Sequence, residues 1–148
     1  MGFKRKIRRF CKSKLIRVIL KSFFDFILFF LGLRKTAIIS GESMFPYLKK
    51  GDIVFFKNYK KNKSILKNRQ IVIFNHPIKN KNLIKRINSV NQNNIEVIGD
   101  NIEFSEDSNK FGLINNEKII GIVTSKLIIP KLKNFLIQKN RSTSLNPK

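Results

Sequence analysis

Two side chains in this sequence are of the right type, and stand in the right surroundings, for covalent chemistry. Ser43 lies in SGESMFP, residues 40–46, two places after Gly41 and three before Pro46, where an apolar run ends and the chain must turn. A hydroxyl at such a turn is exposed. Lys85 lies in NLIKRINSV, residues 82–90, where strand alternation sets Leu83, Lys85 and Ile87 on one face and Ile84, Arg86 and Asn88 on the other. A serine becomes a nucleophile when a neighbouring base removes its proton, and a lysine can be that base only when it is neutral. Lowering an amine from a pKa of about 10.4 to about 8 requires about 3.3 kcal/mol, which apolar surroundings can supply. The other reading of Lys85 is that it is one of many lysines and snorkels at a sheet edge.

The remaining routes to catalysis are poorly provided for. His76, the one histidine, stands before Pro77 in FNHPIKNKN and reads as a turn residue. A Ser-His-Asp triad would have to use it, and a zinc site would lack its usual complement of Cys and His. No metal and no cofactor is therefore expected. The single cysteine, Cys11, cannot form an intramolecular disulfide. With 31 Lys and Arg against 9 Asp and Glu the chain carries a formal charge of +22, which suits nucleic acid or an anionic membrane surface. Lysine, asparagine, isoleucine and phenylalanine are spread through the whole chain, however. The charge is read as a compositional bias, and no nucleic-acid partner is expected.

After Lys35 the sequence breaks into short apolar runs bounded by turn residues: TAIIS, DIVFF, QIVIF, NLIKRINSV, NIEVI and EKIIGIVTSKLII. Their length and their Ile, Val and Phe content predict strands. No helical period of useful length lies between them, so the class is mainly β, a small folded sheet or partly open barrel over residues 36–125. The stretch KNYKKNKSILKNRQ reads as a solvated hairpin loop. The tail, 126–148, contains KLKNFLIQK, a candidate short amphipathic helix.

The N-terminal third is different. Residues 1–14 are a basic cluster, and residues 15–33, LIRVILKSFFDFILFFLGL, would reach about 28 Å as a helix, nearly the thickness of a bilayer core. Arg17, Lys21 and Asp25 interrupt the segment at spacings of four, on one helical stripe. A charge at a helix centre costs about 2.5 to 3.5 kcal/mol on insertion, against roughly 0.3 to 0.6 gained per Leu, Ile, Phe or Val. With Arg17 snorkelling and Lys21 pairing Asp25, a single membrane anchor is expected, with the N terminus cytoplasmic and the β domain on the far side. An amphipathic helix lying in the interface is the alternative. A cleaved signal fits less well, since no small-residue site follows Leu33 before RKTAIIS.

A third stretch, GDNIEFSEDSNKFG at residues 99–112, gathers turn-forming residues into one loop. Together with SGESMFP, GDIVFF and LIKRI, in this order, it resembles the signal peptidase I family of membrane-bound serine proteases. The resemblance spans residues 38–123. It implies a β-rich catalytic domain with Ser43 as nucleophile, Lys85 as general base and Ser105 orienting the lysine amine. Asp100, Asn101, Asp107 and Ser108 would shape the wall of the site, and Met44 would floor a pocket for a small side chain. Gly41 and Pro46 would join Met44 around the oxyanion hole and pocket, and Gly51, Asp52, Arg86 and Gly99, with Asp100 and Asn101, would be structural motifs. The implied partners are membrane lipid and a precursor protein bearing an N-terminal signal or leader peptide.

The chain also departs from the family pattern. Gly41 stands where some members carry a serine that adds a hydroxyl to the oxyanion hole. Tyr47 stands where threonine is common, and Asn109 replaces the arginine expected after Asp107 and Ser108, removing a partner for Asp107. The interval between Arg86 and Gly99 is too short for the large accessory β region of many members. Short forms include the mitochondrial inner-membrane peptidases and the maturation proteases that trim the leader of nickel superoxide dismutase. The latter is an alternative function, acting in the cytoplasm. A basic, membrane-attached, non-catalytic binding protein on the same scaffold is another. The self-cleaving repressors of the SOS response share the Ser-Lys pair, but carry a DNA-binding helical module where this chain has a phenylalanine-rich segment.

Overall fold

Two of the apolar runs are buried on every residue: Ile53–Phe56 and Ile71–Phe74 alternate between faces, yet no side chain in either is exposed. Strands of this kind need cover on both sides. The structure, a computed structural model, describes residues 2–127 other than 62 and 106, and side chains from residue 16 onward. The short helix expected in KLKNFLIQK lies outside the described residues, as do the side chains of the basic cluster.

A long helix, α1 (Gly2–Phe30), precedes β1 (Lys35–Ile38), β2 (Ile53–Asn58), β3 (Ile71–Asn75), β4 (Asn82–Val90) and β5 (Asn94–Ile98). A one-turn helix α2 (Ser108–Phe111), β6 (Ile114–Asn115), a 3-10 turn at Asn116–Lys118 and β7 (Ile119–Lys126) follow. The seven strands form one curled, half-barrel sheet in the order β1-β2-β7-β3-β4-β5-β6, and every pairing is antiparallel. The mainly β expectation is met. Register shifts at Phe55/Phe56, Ile73/Phe74 and Ile87/Ser89 supply local bends, because a bulge strengthens the twist where it occurs.

Three apolar clusters hold the sheet. The largest joins Val72, Phe74, Ile87, Ile95, Val97, Ile114, Ile119 and Ile122. A second packs Met44 and Leu48, from the turn after β1, with Ile39, Val54 and Ile71. The third sets Ile53, Phe55 and Leu127 against Phe26 and Phe29 of α1. Helix and turn thus cover the two runs whose burial required it.

The stretch 57–70, expected as a hairpin loop, is not one. Its flanking strands are not neighbours, because β7 pairs with β2 at Phe55↔Ser125 and with β3 at Val72↔Ile122. The N-terminal helix also differs in extent from the expected 15–33: it runs from Gly2 to Phe30. It ends in a Schellman turn, with Gly32 at φ 73, its N–H donating to the Phe29 carbonyl and the Leu33 N–H to that of Leu28.

That turn swings Arg34 back onto the helix, where its Nε donates to Asp25 Oδ1 at 2.9 Å. The Ser125 hydroxyl donates to Asp25 Oδ2 at 2.6 Å. Asp25 therefore pairs with Arg34 rather than with Lys21 as expected, because its side chain faces the sheet and is buried. Among the described residues no helix is long and apolar enough to cross a membrane.

β2 and β7 approach so closely that a Cβ on Gly121 would lie 2.4 Å from Phe56 Cδ2 and 2.8 Å from the Lys57 carbonyl oxygen. The backbone oxygen cannot be moved cheaply. Gly121→Ala is expected to destabilise the fold by about 1 to 3 kcal/mol, read from the midpoint of denaturant unfolding; an unchanged midpoint would show that the two strands can separate at no cost.

Candidate active site

The turn that carries Ser43 is built by local hydrogen bonds. The Phe45 N–H donates to the Glu42 carbonyl at 3.0 Å and the Leu48 N–H to the Met44 carbonyl at 2.8 Å, and the Phe45–Pro46 peptide is cis. Burying Met44 and Leu48 in the core pins the turn from below, while Ser43, just before Met44, stays partly open to solvent. Pro46 is itself exposed.

The Gly51-Asp52 turn fixes the same segment from its far end. Gly51 takes φ 81, a left-handed conformation that glycine adopts freely. Its N–H donates to the Ile39 carbonyl at 2.7 Å, and Asp52 Oδ2 accepts from the Lys49 N–H at 2.8 Å. Asp52 also pairs with Lys126 of β7. The ends of β1 and β2 are locked together, and the intervening loop with them.

Lys85 is 2% exposed, and it is not the edge lysine of the alternative reading. Its cross-strand partner is the fully buried Val72, with Ile87 on its own face. The Nζ donates to Ser105 Oγ at 3.1 Å, and Ser105 in turn donates to Asp107 Oδ2 at 3.0 Å. The other oxygen of Asp107 caps α2 by accepting from the Asn109 N–H at 3.1 Å. Ser108 Oγ accepts from the Val97 N–H at 2.8 Å, tying the loop to β5. Both carboxylate oxygens of Asp107 are thus occupied without the arginine that Asn109 replaces. The main chain of residue 109 does that work.

Gly99 is where these pieces meet. A Cβ there would lie 2.3 Å from Ser105 Oγ and 2.7 Å from the Ser43 carbonyl oxygen, so the Ser43 turn and the serine that holds Lys85 both press on one glycine. Two residues on, the Asn101 N–H donates to the same Ser43 carbonyl at 3.0 Å. Asp100, between them, faces Arg86: Nε reaches Oδ1 at 2.7 Å and Nη2 reaches Oδ2 at 2.6 Å. These bonds push the guanidinium above its already high pKa, opposed by burial and aided to a lesser degree by the charge of Asp100. Tyr47 lies against the other side of Arg86, with its ring centroid 5.1 Å from Cζ.

A cleft of about 160 Å³ opens beside Ser43. Gly41, Ser43 and Met44 line one side, Ala37 to Ser40 continue along it, and Ile73, Asn82, Leu83 and Ile84 form the opposite wall. Its lining is predominantly apolar. Gly41 and Met44 stand where the pocket was expected, but Pro46 is not part of the lining. The wall from β3 and β4 was not legible beforehand, since nothing distinguishes Ile73 or Ile84 from other strand isoleucines until the sheet order is known. His76 is a turn residue as read: Nδ1 accepts from the N–H groups of Ile78 and Lys79, both at 3.0 Å. Among the described residues no three His, Cys, Asp or Glu side chains gather as a metal-binding group.

A family model described as "Signal peptidase, peptidase S26" matches residues 9–90. The match includes Ser43 and Lys85 and stops short of the loop with Ser105 and Asp107. No curated protein matches the chain.

Glycines 99 and 41 make a matched pair of tests. Gly99→Ala forces Ser105 and the Ser43 carbonyl apart and is expected to cost about 1 to 3 kcal/mol of folding stability. A Cβ on Gly41 meets nothing within 4 Å, so Gly41→Ala should leave the thermal midpoint where it is. Equal midpoints for the two variants would mean that the packing around Gly99 is not a constraint.

Proposed function

Because the chain belongs to the signal peptidase family, peptidase S26, and is thus a peptidase of leader-bearing precursors, we propose that it is a serine endopeptidase working through a Ser43–Lys85 dyad. The observation that carries this reading is the buried amine of Lys85, held by Ser105 and Asp107, with Ser105 and the Ser43 main chain both in contact with Gly99. Burial strips water from an ammonium and favours the neutral amine that a base requires.

In the proposed reaction Lys85 Nζ takes the Ser43 hydroxyl proton as Oγ bonds to the scissile carbonyl carbon. The tetrahedral adduct collapses, the C–N bond breaks, and the protonated lysine gives its proton to the leaving amine. Lys85 Nζ then takes a proton from water as its oxygen bonds to the acyl carbon, the bond from that carbon to Ser43 Oγ breaks, and the lysine returns the proton to Oγ. The Ser43 N–H is the first oxyanion donor; among the described residues it donates to no backbone carbonyl. Ser105 positions Nζ, and Asp107 fixes Ser105. The substrate lies extended in the cleft beside β1, where main-chain hydrogen bonds give affinity and the small apolar space selects short side chains.

The attachment of α1 to a membrane is part of the same proposal. Phe26 and Phe29 pack on the sheet and Asp25 is bonded to Ser125, so the C-terminal half of the helix is committed to the protein. No helix among the described residues is long and apolar enough to cross a membrane, whereas Val18, Leu20, Phe23 and Phe24 are exposed. A helix lying in the interface fits both facts. Secretory signal peptides and the leader of nickel superoxide dismutase are the precursors to offer first.

Incubating the full chain with such precursors and mapping the new N terminus by mass spectrometry tests the dyad. Ser43→Ala and Lys85→Ala should each lower processing by at least about a thousandfold, and retained processing in both would remove the assignment. The wild-type rate should climb with pH as the amine loses its proton; a rate that falls over the same range is incompatible with a lysine base. Gly41→Ser places a hydroxyl on the open side of the cleft and should raise kcat, with a decrease counting against an oxyanion site beside residue 41.

A further inference from the structure

Behind the nucleophile turn, between α1 and the sheet, four cations line one cleft of about 170 Å³: Lys21, Arg69, Arg86 and Lys126, together with Tyr47 and Gln70. It lies alongside an outer cleft of about 490 Å³ that shares Lys21, Tyr47 and Lys126 and is rimmed by Val18. Two of the cations are neutralised, Arg86 by Asp100 and Lys126 by Asp52. Asp25, the nearby carboxylate of α1, is taken by Arg34 and Ser125. Lys21 and Arg69 have no carboxylate partner among the described residues, so the cleft keeps an excess of two positive charges.

The position of Arg69 is fixed at some cost. It takes φ 69, a left-handed conformation unfavourable for a side chain larger than glycine's. The conformation is held on both sides, by the Arg69 N–H donating to the Ile87 carbonyl at 2.9 Å and by Arg86 Nη1 donating to the Arg69 carbonyl at 3.0 Å.

We propose that this cleft seats the phosphate headgroup of an anionic phospholipid, with Lys21 and Arg69 as its cations. Arginine forks and lysine point charges both suit phosphate oxygens. A lipid, rather than a free phosphate, follows from what adjoins the cleft. Lys21 stands one helical turn before the exposed Phe24, which with Leu20 and Phe23 lies on an exposed apolar face of α1, and a headgroup at Lys21 lays its acyl chains along that face. The bound lipid would hold α1 and the sheet in one orientation to the bilayer. Tyr47, which stands three residues after Met44, forms part of both clefts.

The test is sedimentation of the full chain with phosphatidylcholine vesicles, with and without a minority of phosphatidylglycerol. Removing the cleft charges as Lys21→Gln with Arg69→Gln should weaken binding to the anionic vesicles by about tenfold or more, since each cation at the surface contributes on the order of fivefold. Lys60→Gln with Lys63→Gln, an equal loss of charge from exposed lysines that line neither cleft, should cost about threefold or less. Lys21→Arg with Arg69→Lys should keep the wild-type level. Equal losses from the two neutral pairs would assign binding to the overall charge and overturn the site. Displacement by millimolar inorganic phosphate would overturn the lipid and leave a free-anion site. A readout that needs no variant is the melting temperature of the unmodified chain, which short-chain phosphatidylglycerol should raise and short-chain phosphatidylcholine should not; equal shifts sink the proposal. None of these measurements involves peptide cleavage, so their failure and that of the peptidase reading are distinguishable.

Discussion

An amine cannot be taken into the interior of a sheet unless something there accepts its hydrogens. Lys85 meets that condition through Ser105, and Ser105 through Asp107. Much of the site is arranged around this chain of contacts. Gly99 must lack a side chain so that Ser105 can approach, α2 must begin at Asp107 so that the carboxylate is held, and Ser108 must bind β5 so that the loop stays in place. The turn that carries Ser43 reaches the same point from the opposite direction, through the Ser43 carbonyl and the Asn101 N–H. Each support is a small residue or a main-chain group, and so leaves the cleft beside Ser43 open.

Local patterns in the sequence were reliable where the structure they specify is local. β4 and β5 begin and end where NLIKRINSV and NIEVI do, because each run is bounded by turn formers and alternates cleanly. Alternation put Lys85 on a face with Leu83 and Ile87 but left an edge lysine equally open, and its burial is decided by the sheet and the loop that cover that face. The relation between β2 and β3 was not legible, since it is decided by β7, a strand some fifty residues further along. Helix α2 and strand β6 are too short to generate a period, so tertiary contacts alone define them.

The site shows the same division. The residue types in SGESMFP and GDNIEFSEDS identified the turn and the loop, but not which atoms bond. Asn109 was read as the loss of a partner for Asp107, yet the N–H of that very residue is the partner. A side-chain pattern does not reveal contacts made by the backbone. Asp25 likewise has a cation four residues before it on the helix, and the turn at Gly32 brings Arg34 instead. Pairing by helical spacing holds for exposed surfaces, whereas Asp25 faces the protein.

The place of β7 in the middle of the sheet bears on how the molecule comes into being. Since β2 and β3 are joined only through it, neither half of the sheet can close while residues 119–126 are still inside the ribosome. Nascent chains carrying the serine turn and the lysine strand would emerge with their apolar edges unpaired. Long-range closures of this sort are slow and leave sticky intermediates. The assembled cleft should thus appear only once β7 has emerged, and abruptly, with that strand acting as a keystone.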